Sequence, residues 1–383
     1  MKKTAALTIA FLAASASGAS AIDWTIQSHF SQELQASDNA FLKTPPVHES
    51  YGTISSLMFD VVGRTPTMRF QLKTDVSYLA YFGPGATDAL NKLNYGAMTR
   101  FEKIDRLTTY FAEASFRDQD ARTAQLTELG LVRFGGSILI GIAEAGLKHQ
   151  LTSIDLIKWS TVGRFTGFTA ANTTSFSDLS TTLSWIRRLT PITDVNIDLQ
   201  FERLAFDNIA HSEVLIWRAM FGFDSRVTRT LTLKGYAGPV FVNASQATLP
   251  YLLPINGSSF GWNGNISLIY KIKTVEISVN ASRTTGPSIV GDLLTTDSVG
   301  VNLRHDLSAL SYWFASGVFS RYRAAKDGSP TEYWSASVGY GYKWMRELQL
   351  QFIYRYLNRE GSFGDAHSHT ILLRLTHDYT FLR

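Results

Sequence analysis

The amino-acid sequence predicts an all-β fold, a transmembrane antiparallel up-and-down β-barrel of about 18 strands. Three observations predict it: apolar and polar residues alternate along many segments, these segments are long, and very short connections take turns with longer polar ones. Strands of soluble sheets usually have five or six residues, whereas a tilted strand needs about 9–11 residues to cross a bilayer. Segments of about a dozen alternating residues are therefore typical of a membrane barrel.

Alternation is clearest between residues 67 and 80. Met68, Phe70 and Leu72 occupy one face there, and Arg69 and Lys73 occupy the other. The same period of two recurs at 195–202, 275–282 and 334–344. Because successive side chains of a strand point to opposite faces, each segment has an apolar face for lipid and a polar face for a wet interior.

Short connections, typical of hairpin turns, separate the strands in pairs. They lie at 63–66, 104–106, 151–153, 189–192, 227–229, 272–274, 307–309 and 344–346. Longer polar connections, such as 35–50, 118–136 and 243–258, lie between them. Short turns are expected on the periplasmic side and long loops outside the cell. Eight turns join sixteen strands, and the end segments 24–35 and 369–381 bring the count to 18, with 16 as the alternative.

Aromatic residues at strand ends predict girdles at the two membrane interfaces. A soluble β-sandwich is the alternative, but it does not need so many strands of this length. The girdle residues are Trp24, Phe30, Trp185, Trp217, Phe223, Phe260, Trp262, Tyr342, Trp344, Tyr379 and Phe381.

The N-terminal residues have the pattern of a cleavable signal peptide. Lys2 and Lys3 precede an apolar stretch at 5–14, and Ala19-Ser20-Ala21 fits the cleavage site. A membrane anchor would need about 20 apolar residues, more than this stretch provides. We expect a signal peptide at 1–21 and a single transmembrane β-barrel domain at 22–383.

Composition excludes some other classes of protein. The sequence has no cysteine, so disulfides do not stabilise it. Its net charge of +4 becomes +2 when Lys2 and Lys3 leave with the signal (34 basic against 32 acidic residues). This balance gives no electrostatic footprint for nucleic acid, and no nucleic-acid partner is expected.

Three segments carry a family resemblance: Gln32-Glu33-Leu34-Gln35-Ala36-Ser37-Asp38-Asn39, Thr74-Asp75-Val76-Ser77-Tyr78 and Gly146-Leu147-Lys148-His149-Gln150-Leu151-Thr152. With them the chain resembles a proteobacterial outer-membrane β-barrel porin family, the second porin-like barrel group. The resemblance covers most of the chain after the signal. It implies an outer-membrane protein of a Gram-negative bacterium that contacts lipid and lipopolysaccharide. The alternating last strand, with Tyr379 and Phe381, predicts insertion by the barrel assembly machinery.

Barrel size connects the fold to a function. Eight strands leave an interior filled by side chains, whereas 16 to 18 leave a water-filled passage. The residues expected to line it have mixed charge with a modest basic excess, which predicts passive diffusion of small hydrophilic solutes with a weak preference for anions. For each single charge the alternative is a structural salt bridge inside the barrel. The predicted lumen residues are Arg69, Lys73, Asp75, Asp198, Glu202, Lys234, Lys271, Glu276, Arg304, Arg355 and Arg374.

The long connection at 118–136 is a candidate constriction loop. If it folds into the lumen, its charges narrow the passage, and otherwise it lies over the mouth. The residues concerned are Arg117, Asp118, Asp120, Arg122 and Glu128.

Two other functions are the alternatives. An outer-membrane exit for an exopolysaccharide is one, since some relatives in the family accompany such systems. A surface enzyme is the other. His367 and His369, with Asp365 beside them, have a spacing that could hold a metal, although no third ligand of the right kind is evident. No catalytic residue, cofactor or metal is expected, and a homo-oligomer is expected only by analogy with porins.

Overall fold

Eighteen antiparallel strands form one sheet that closes on itself in a computed structural model of the chain. The structure describes residues 22–40, 42, 49–84, 91–121, 136–169, 173–207, 212–245, 257–287, 293–324, 330–361 and 364–382. The predicted signal peptide at 1–21 lies outside them. The strands are β1 (Asp23–Ser37), β2 (Ser50–Arg64), β3 (Met68–Phe82), β4 (Lys92–Ile104), β5 (Thr108–Asp120), β6 (Ser137–Gln150), β7 (Asp155–Phe168), β8 (Phe176–Thr190), β9 (Thr193–Phe206), β10 (Glu213–Ser225), β11 (Leu231–Ser245), β12 (Gly257–Lys271), β13 (Val275–Pro287), β14 (Leu293–Asp306), β15 (Ser311–Ala324), β16 (Thr331–Lys343), β17 (Leu348–Glu360) and β18 (Ala366–Leu382).

Each strand pairs with its neighbours in sequence, and β1 also pairs with β18. At this closing seam Glu33 lies opposite Arg374, and Leu34 lies opposite Leu373. Closure leaves no edge strand with unpaired backbone groups, which is the condition for crossing lipid with strands. The predicted fold class is confirmed, with 18 strands rather than 16.

All eight short turns occur where the sequence predicts them. Several close by the same local bond, in which a threonine or serine hydroxyl accepts a hydrogen bond from the backbone N–H three residues later, as such turns commonly do. These pairs are Thr65 with Met68 (2.9 Å), Thr152 with Asp155 (3.0 Å), Thr228 with Leu231 (3.0 Å) and Ser308 with Ser311 (3.0 Å). We call this the periplasmic end of the barrel and the end with the long connections the extracellular end.

The outward face of the barrel is an apolar belt. Large side chains along it remain exposed, among them Val76, Leu199, Phe221, Val301 and Phe352. An exposed apolar surface of this extent is unsuited to water but suited to lipid hydrocarbon. Among the described residues, no helix is long and apolar enough to span a membrane.

Candidate functional site

The inward face of the barrel contains all eleven predicted lumen residues. Along each of their strands, alternation places them opposite the side chains of the apolar belt; on β3, for example, Arg69, Lys73 and Asp75 alternate with the exposed Met68 and Val76. The eleven come from β3, β9, β11, β12, β13, β14, β17 and β18. The structure distributes them around the wall rather than in one cluster.

Most of the predicted cations have an acidic partner across or along the wall, as the salt-bridge alternative supposed. Glu202 is buried and forms an ion pair with Arg218, a residue that the sequence did not single out. Arg218 also donates a hydrogen bond of 2.9 Å to the Thr285 carbonyl. Three further ion pairs join Lys73 to Asp60 (3.7 Å), Lys234 to Asp224 (2.5 Å) and Lys271 to Glu276 (2.8 Å).

Three predicted residues of the wall have other surroundings. Asp198 accepts a hydrogen bond of 2.5 Å from the Asn196 amide. Asp75 lines a recess of about 470 Å³ together with Arg117 and Arg164. Arg69 lies opposite Glu102 in the β3–β4 register, but no ion pair joins them in the described part of the chain.

Arginines gather in one place, which we call the arginine recess. It is a cavity of about 310 Å³ lined by Arg304, Tyr312, Phe314, Ser337, Gln351, Ile353, Arg355 and Arg374. Arg355 and Arg374 also line an adjoining cavity of about 640 Å³. Strands β14 to β18 supply the whole set, so three of the predicted lumen residues converge on one sector of the wall.

Tyr312 organises the floor of the arginine recess. Its hydroxyl accepts hydrogen bonds of 2.6 Å from the side-chain amides of both Gln349 and Gln351. The Arg304 guanidinium lies 3.8 Å above the centre of its ring, a cation–π arrangement. The ring lies against β16 where that strand has Gly341, because a Cβ at this glycine would overlap the ring. Tyr312 was not predicted from the sequence, although the run of three aromatic residues Tyr312-Trp313-Phe314 was a signal.

The three arginines of the recess differ in their partners. Arg374 donates two hydrogen bonds, of 2.6 and 2.8 Å, to the Glu33 carboxylate. Arg304 donates one of 3.0 Å to Asp306. Arg355 has no acidic partner within ion-pair distance among the described residues. An arginine whose charge is not offset by a carboxylate retains its full set of donors for an anion.

Hydroxyl and amide side chains without charge cover the neighbouring sector of the wall, on β13 to β16. Their bonds join Ser278 to Asn302 (3.3 Å), Ser282 to Ser298 (2.8 Å) and Ser316 to Ser337 (2.7 Å). Such groups replace part of a solute's hydration without attracting either sign of charge. The inward positions of β13 and β15 include Ser278, Ser282, Ser316 and Ser320. This spacing in the sequence indicates an uncharged polar wall, which was not among the predictions.

The candidate constriction loop starts later than the sequence suggested. β5 continues through Asp120 and β6 begins at Ser137, so Arg117, Asp118 and Asp120 are strand residues rather than loop residues. Arg117 has the inward register, whereas Asp118 follows Phe116 on the other face, with its carboxylate 3.3 Å from Lys92 Nζ. Arg122 and Glu128 lie outside the described residues.

The first residue after β5 does turn into the barrel. Ala121 is 1% exposed and packs against Ile138, with Ile140 and Phe168 beside it. The alternation of β6 and β7 places these three side chains on the inward face. The β5–β6 connection therefore begins inside the extracellular mouth.

A second connection also enters the mouth. Leu42, between β1 and β2, is 1% exposed and packs on the inward side chains Tyr322, Tyr333, Leu357 and Ala366. Its backbone has φ = 48°, a conformation that is unfavourable for a leucine and is maintained here by the packing. Sequence analysis missed Leu42, because a single leucine in a polar connection shows no periodicity.

A further inward apolar cluster closes the extracellular end at β8 to β11. Leu204 and Ile216 are fully buried there, and Phe176, Val240 and Val242 complete the packing around them. Inward residues without solvent contact do not line open water. The open part of the mouth therefore lies away from this sector.

The histidines that suggested a metal site are on the outer face. His367 and His369 have their ring centres 6.0 Å apart, and His369 is hydrogen-bonded to the Tyr354 hydroxyl (2.7 Å). Within the described ranges no group of three candidate metal ligands occurs.

Comparison with known proteins gives a fold but no sequence family. No protein-family model matches the sequence, and no curated protein matches it. Solved structures do match. OccK2 (OpdF) of Pseudomonas aeruginosa in complex with glucuronate has a TM-score of 0.52 and 9% identity, over 94% of this chain and 99% of that one. OpdK of the same organism with vanillate has a TM-score of 0.51 and 10% identity, with the same coverage.

A third match, OccAB2 of Acinetobacter baumannii, has a TM-score of 0.50 at 7% identity, over 94% of this chain and 98% of that one. The fold is that of an outer-membrane porin. The porin fold agrees with the family resemblance found in the sequence. In this fold the inward-facing residues described above line a passage.

Proposed function

We propose that this protein is a channel of the Gram-negative outer membrane for passive diffusion of small hydrophilic solutes, with a preference for small anions such as carboxylates. The observation that carries the proposal is Arg355. It lies in the arginine recess between Arg304 and Arg374 and has no acidic partner among the described residues. The OpdK and OccK2 structures contain vanillate and glucuronate, both carboxylates, which agrees with this preference.

The chemistry of the recess suits a carboxylate. A guanidinium presents paired N–H donors that match the two oxygens of a carboxylate. Glu33 and Asp306 already bind Arg374 and Arg304 and offset their charge, so Arg355 supplies the free donors and the net positive potential of the recess. Gln351 and Ser337 extend the site with neutral hydrogen-bonding groups, which allow a solute to leave as readily as it arrives.

Single-channel recording of the purified barrel in a planar bilayer tests the proposal. Under a KCl gradient we expect stable current steps and a reversal potential on the anion-selective side. Arg355→Gln is expected to lower the anion-to-cation permeability ratio about sixfold, since a unit charge ~8 Å away in water stabilises an anion by about 0.5 kcal/mol and destabilises a cation by the same amount. Arg106→Gln, in the β4–β5 turn, is the matched control and should leave the ratio unchanged.

Carboxylate recognition has its own readout. Glucuronate added to one side should reduce the chloride current in the wild-type channel and less so in Arg355→Gln. Equal block in both variants would exclude Arg355 as the binding residue. Absence of current from a demonstrably folded, heat-modifiable barrel would contradict the channel itself and favour a barrel dedicated to polymer export.

A further inference from the structure

The outer face of the barrel has charged residues at a position where lipid is expected. They are Arg283 on β13, Asp297 on β14, Arg321 and Arg323 on β15, and Glu332 on β16, which we call the outer arginine cluster. Alternation places them on the apolar belt side, because Val299, Phe319 and Trp334, each two residues nearer the periplasmic end, share their faces. The cluster therefore lies at the extracellular boundary of the belt.

The carboxylates near the outer arginine cluster leave part of its guanidinium donors unused. Asp297 is shared between Arg283 at 3.5 Å and Arg323 at 3.7 Å. Glu360, opposite Glu332 on the same face, accepts a hydrogen bond from the Asn358 amide. Arg321 lies 3.4 Å from Glu332, and its Nε atom is buried without a hydrogen-bond partner in the described part of the chain. Charged hydrogen bonds usually span about 2.7–2.9 Å. The cluster thus has guanidinium donors that its carboxylates do not saturate.

An apolar groove lies beside the cluster on the same outer face. It has a volume of about 500 Å³ and is lined by Leu183, Leu199, Trp217, Ala219, Pro239 and Phe260, among others. Small side chains, Ala219 and Pro239, form its floor, and Trp217 and Phe260 form its walls. A groove with aromatic walls in the lipid-facing surface fits a hydrocarbon chain.

The backbone explains why the groove exists. Pro239 has no N–H for the strand ladder, and the β10–β11 register passes from Arg218 opposite Val240 directly to Phe221 opposite Ala237. Gly238 lies so close to the Ala219 backbone that a Cβ would overlap it. The strand register is unchanged across this gap, and the small side chains of Ala219 and Pro239 leave the outer face open at this height.

Trp262 connects the groove to the cluster. It lies opposite Pro239 in the β11–β12 register, and the Arg283 guanidinium stacks over its ring at 4.9 Å. A molecule with its chain in the groove would therefore have its polar end beside Arg283. A polar end that complements the charge of Arg283 is an anion. A phosphate suits this position, because its oxygens can accept hydrogen bonds from several arginines at once.

We propose that the groove and the outer arginine cluster together bind one lipopolysaccharide molecule of the outer leaflet, with an acyl chain in the groove and a lipid A phosphate on Arg283, Arg321 and Arg323. The inference is independent of the channel's solute. It commits to a glycolipid because the site lies at the extracellular end, where the outer leaflet of this membrane meets the barrel. Basic residues at a membrane surface attract anionic headgroups in the same way.

Native mass spectrometry of the detergent-solubilised barrel, freed of lipopolysaccharide and titrated with bisphosphorylated lipid A, tests this proposal. The wild type should retain one lipid A per barrel and bind its dephosphorylated form at least roughly tenfold more weakly, since two or three charge-assisted bonds are lost. The triple variant Arg283→Gln, Arg321→Gln, Arg323→Gln should show a similar loss. Arg187→Gln, an outward and ion-paired arginine at the periplasmic end, is the control and should bind like the wild type.

A second pair of variants tests the groove. Ala219→Phe fills it and should weaken lipid A binding, whereas Ala112→Phe makes the same change on the distant outer face of β5 and should not. Lipid A binding that survives both the triple variant and Ala219→Phe would overturn the proposal. Equal affinity for phosphatidylglycerol, or a dimer of barrels in place of a lipid complex, would assign the surface to another occupant. If the triple variant does not fold, Arg323→Gln alone decides the matter, with a loss of several-fold expected.

Discussion

Arg374 Nη2 lies 2.6 Å from Glu33 Oε2, across the seam where β18 closes the barrel on β1. The Glu33 side chain is only 11% exposed, so the pair is largely shielded from water. One contact therefore does two things: it joins the first strand to the last, and it reduces the positive charge of the arginine recess. The proposed preference for anions is expected to depend on this glutamate.

Glu33→Gln should raise the anion-to-cation permeability ratio several-fold, because Arg374 loses its negative partner while the amide oxygen can still accept a hydrogen bond. Reversal potentials in a KCl gradient measure the ratio. Asp224→Asn removes a carboxylate from the periplasmic end of the wall on β10, away from the strands β14 to β18 that supply the recess, and should shift the ratio less. An unchanged ratio in Glu33→Gln would separate this residue from selectivity.

Leu42→Ala should release the β1–β2 connection from the extracellular mouth. The buried leucine contributes about 2–3 kcal/mol of packing, and its backbone N–H also donates a hydrogen bond of 3.1 Å to the Asn39 carbonyl. Larger or noisier single-channel steps are expected. Leu34→Ala, at an outward position that is 50% exposed, serves as the control with wild-type conductance. Wild-type steps in Leu42→Ala would mean that this leucine does not hold the connection in the passage.

Shortening the β5–β6 connection tests the other inward element. Deletion of 122–128 removes Arg122 and Glu128 but keeps Ala121, which anchors the connection inside the mouth. We expect a rise in conductance, because a shorter connection after the buried Ala121 leaves less side-chain volume near the extracellular mouth. Deletion of 288–292 in the β13–β14 connection controls for loop loss in general. A folded variant with unaltered conductance would place the deleted residues outside the ion path.

Gly238→Ala should prevent correct folding of the barrel. Its Cβ would overlap the Ala219 backbone, and backbone cannot move aside within a closed sheet. Gly261→Ala on the neighbouring strand has open space and should fold normally. The fraction of protein whose gel mobility changes on heating measures folding. A fully heat-modifiable Gly238→Ala barrel would show that the gap in the β10–β11 pairing can be relaxed.

Local patterns were sufficient to predict much of the fold. A period of two follows from strand geometry alone, so the inward faces of Arg69, Lys73 and Asp75 could be read directly. Short turns could also be predicted from the sequence, because residues such as Thr152 close them through a hydrogen bond to the residue three positions later. In both cases the structure is determined by residues that are close together in the sequence.

The site could be predicted only in part, because its contacts depend on register and on distant segments. Arg304, Arg355 and Arg374 were assigned to the lumen, but nothing local shows that they meet in one recess. Pairing of Glu33 with Arg374 requires the exact closure of β1 on β18. Leu42 was missed for a related reason, since its partners come from four strands at the other end of the chain.

The pairing of β1 with β18 also has a kinetic consequence. Ser37 and Ser368, which form a hydrogen bond at the seam, are 331 positions apart in the chain. Contacts of such high contact order form late, because the entropy of closing so long a loop is lost before the contact contributes anything. Until then the first and last strands expose unpaired edges that invite aggregation. We therefore expect a chain of this topology to fold with less aggregation when one of these edges is covered while the other strands are added.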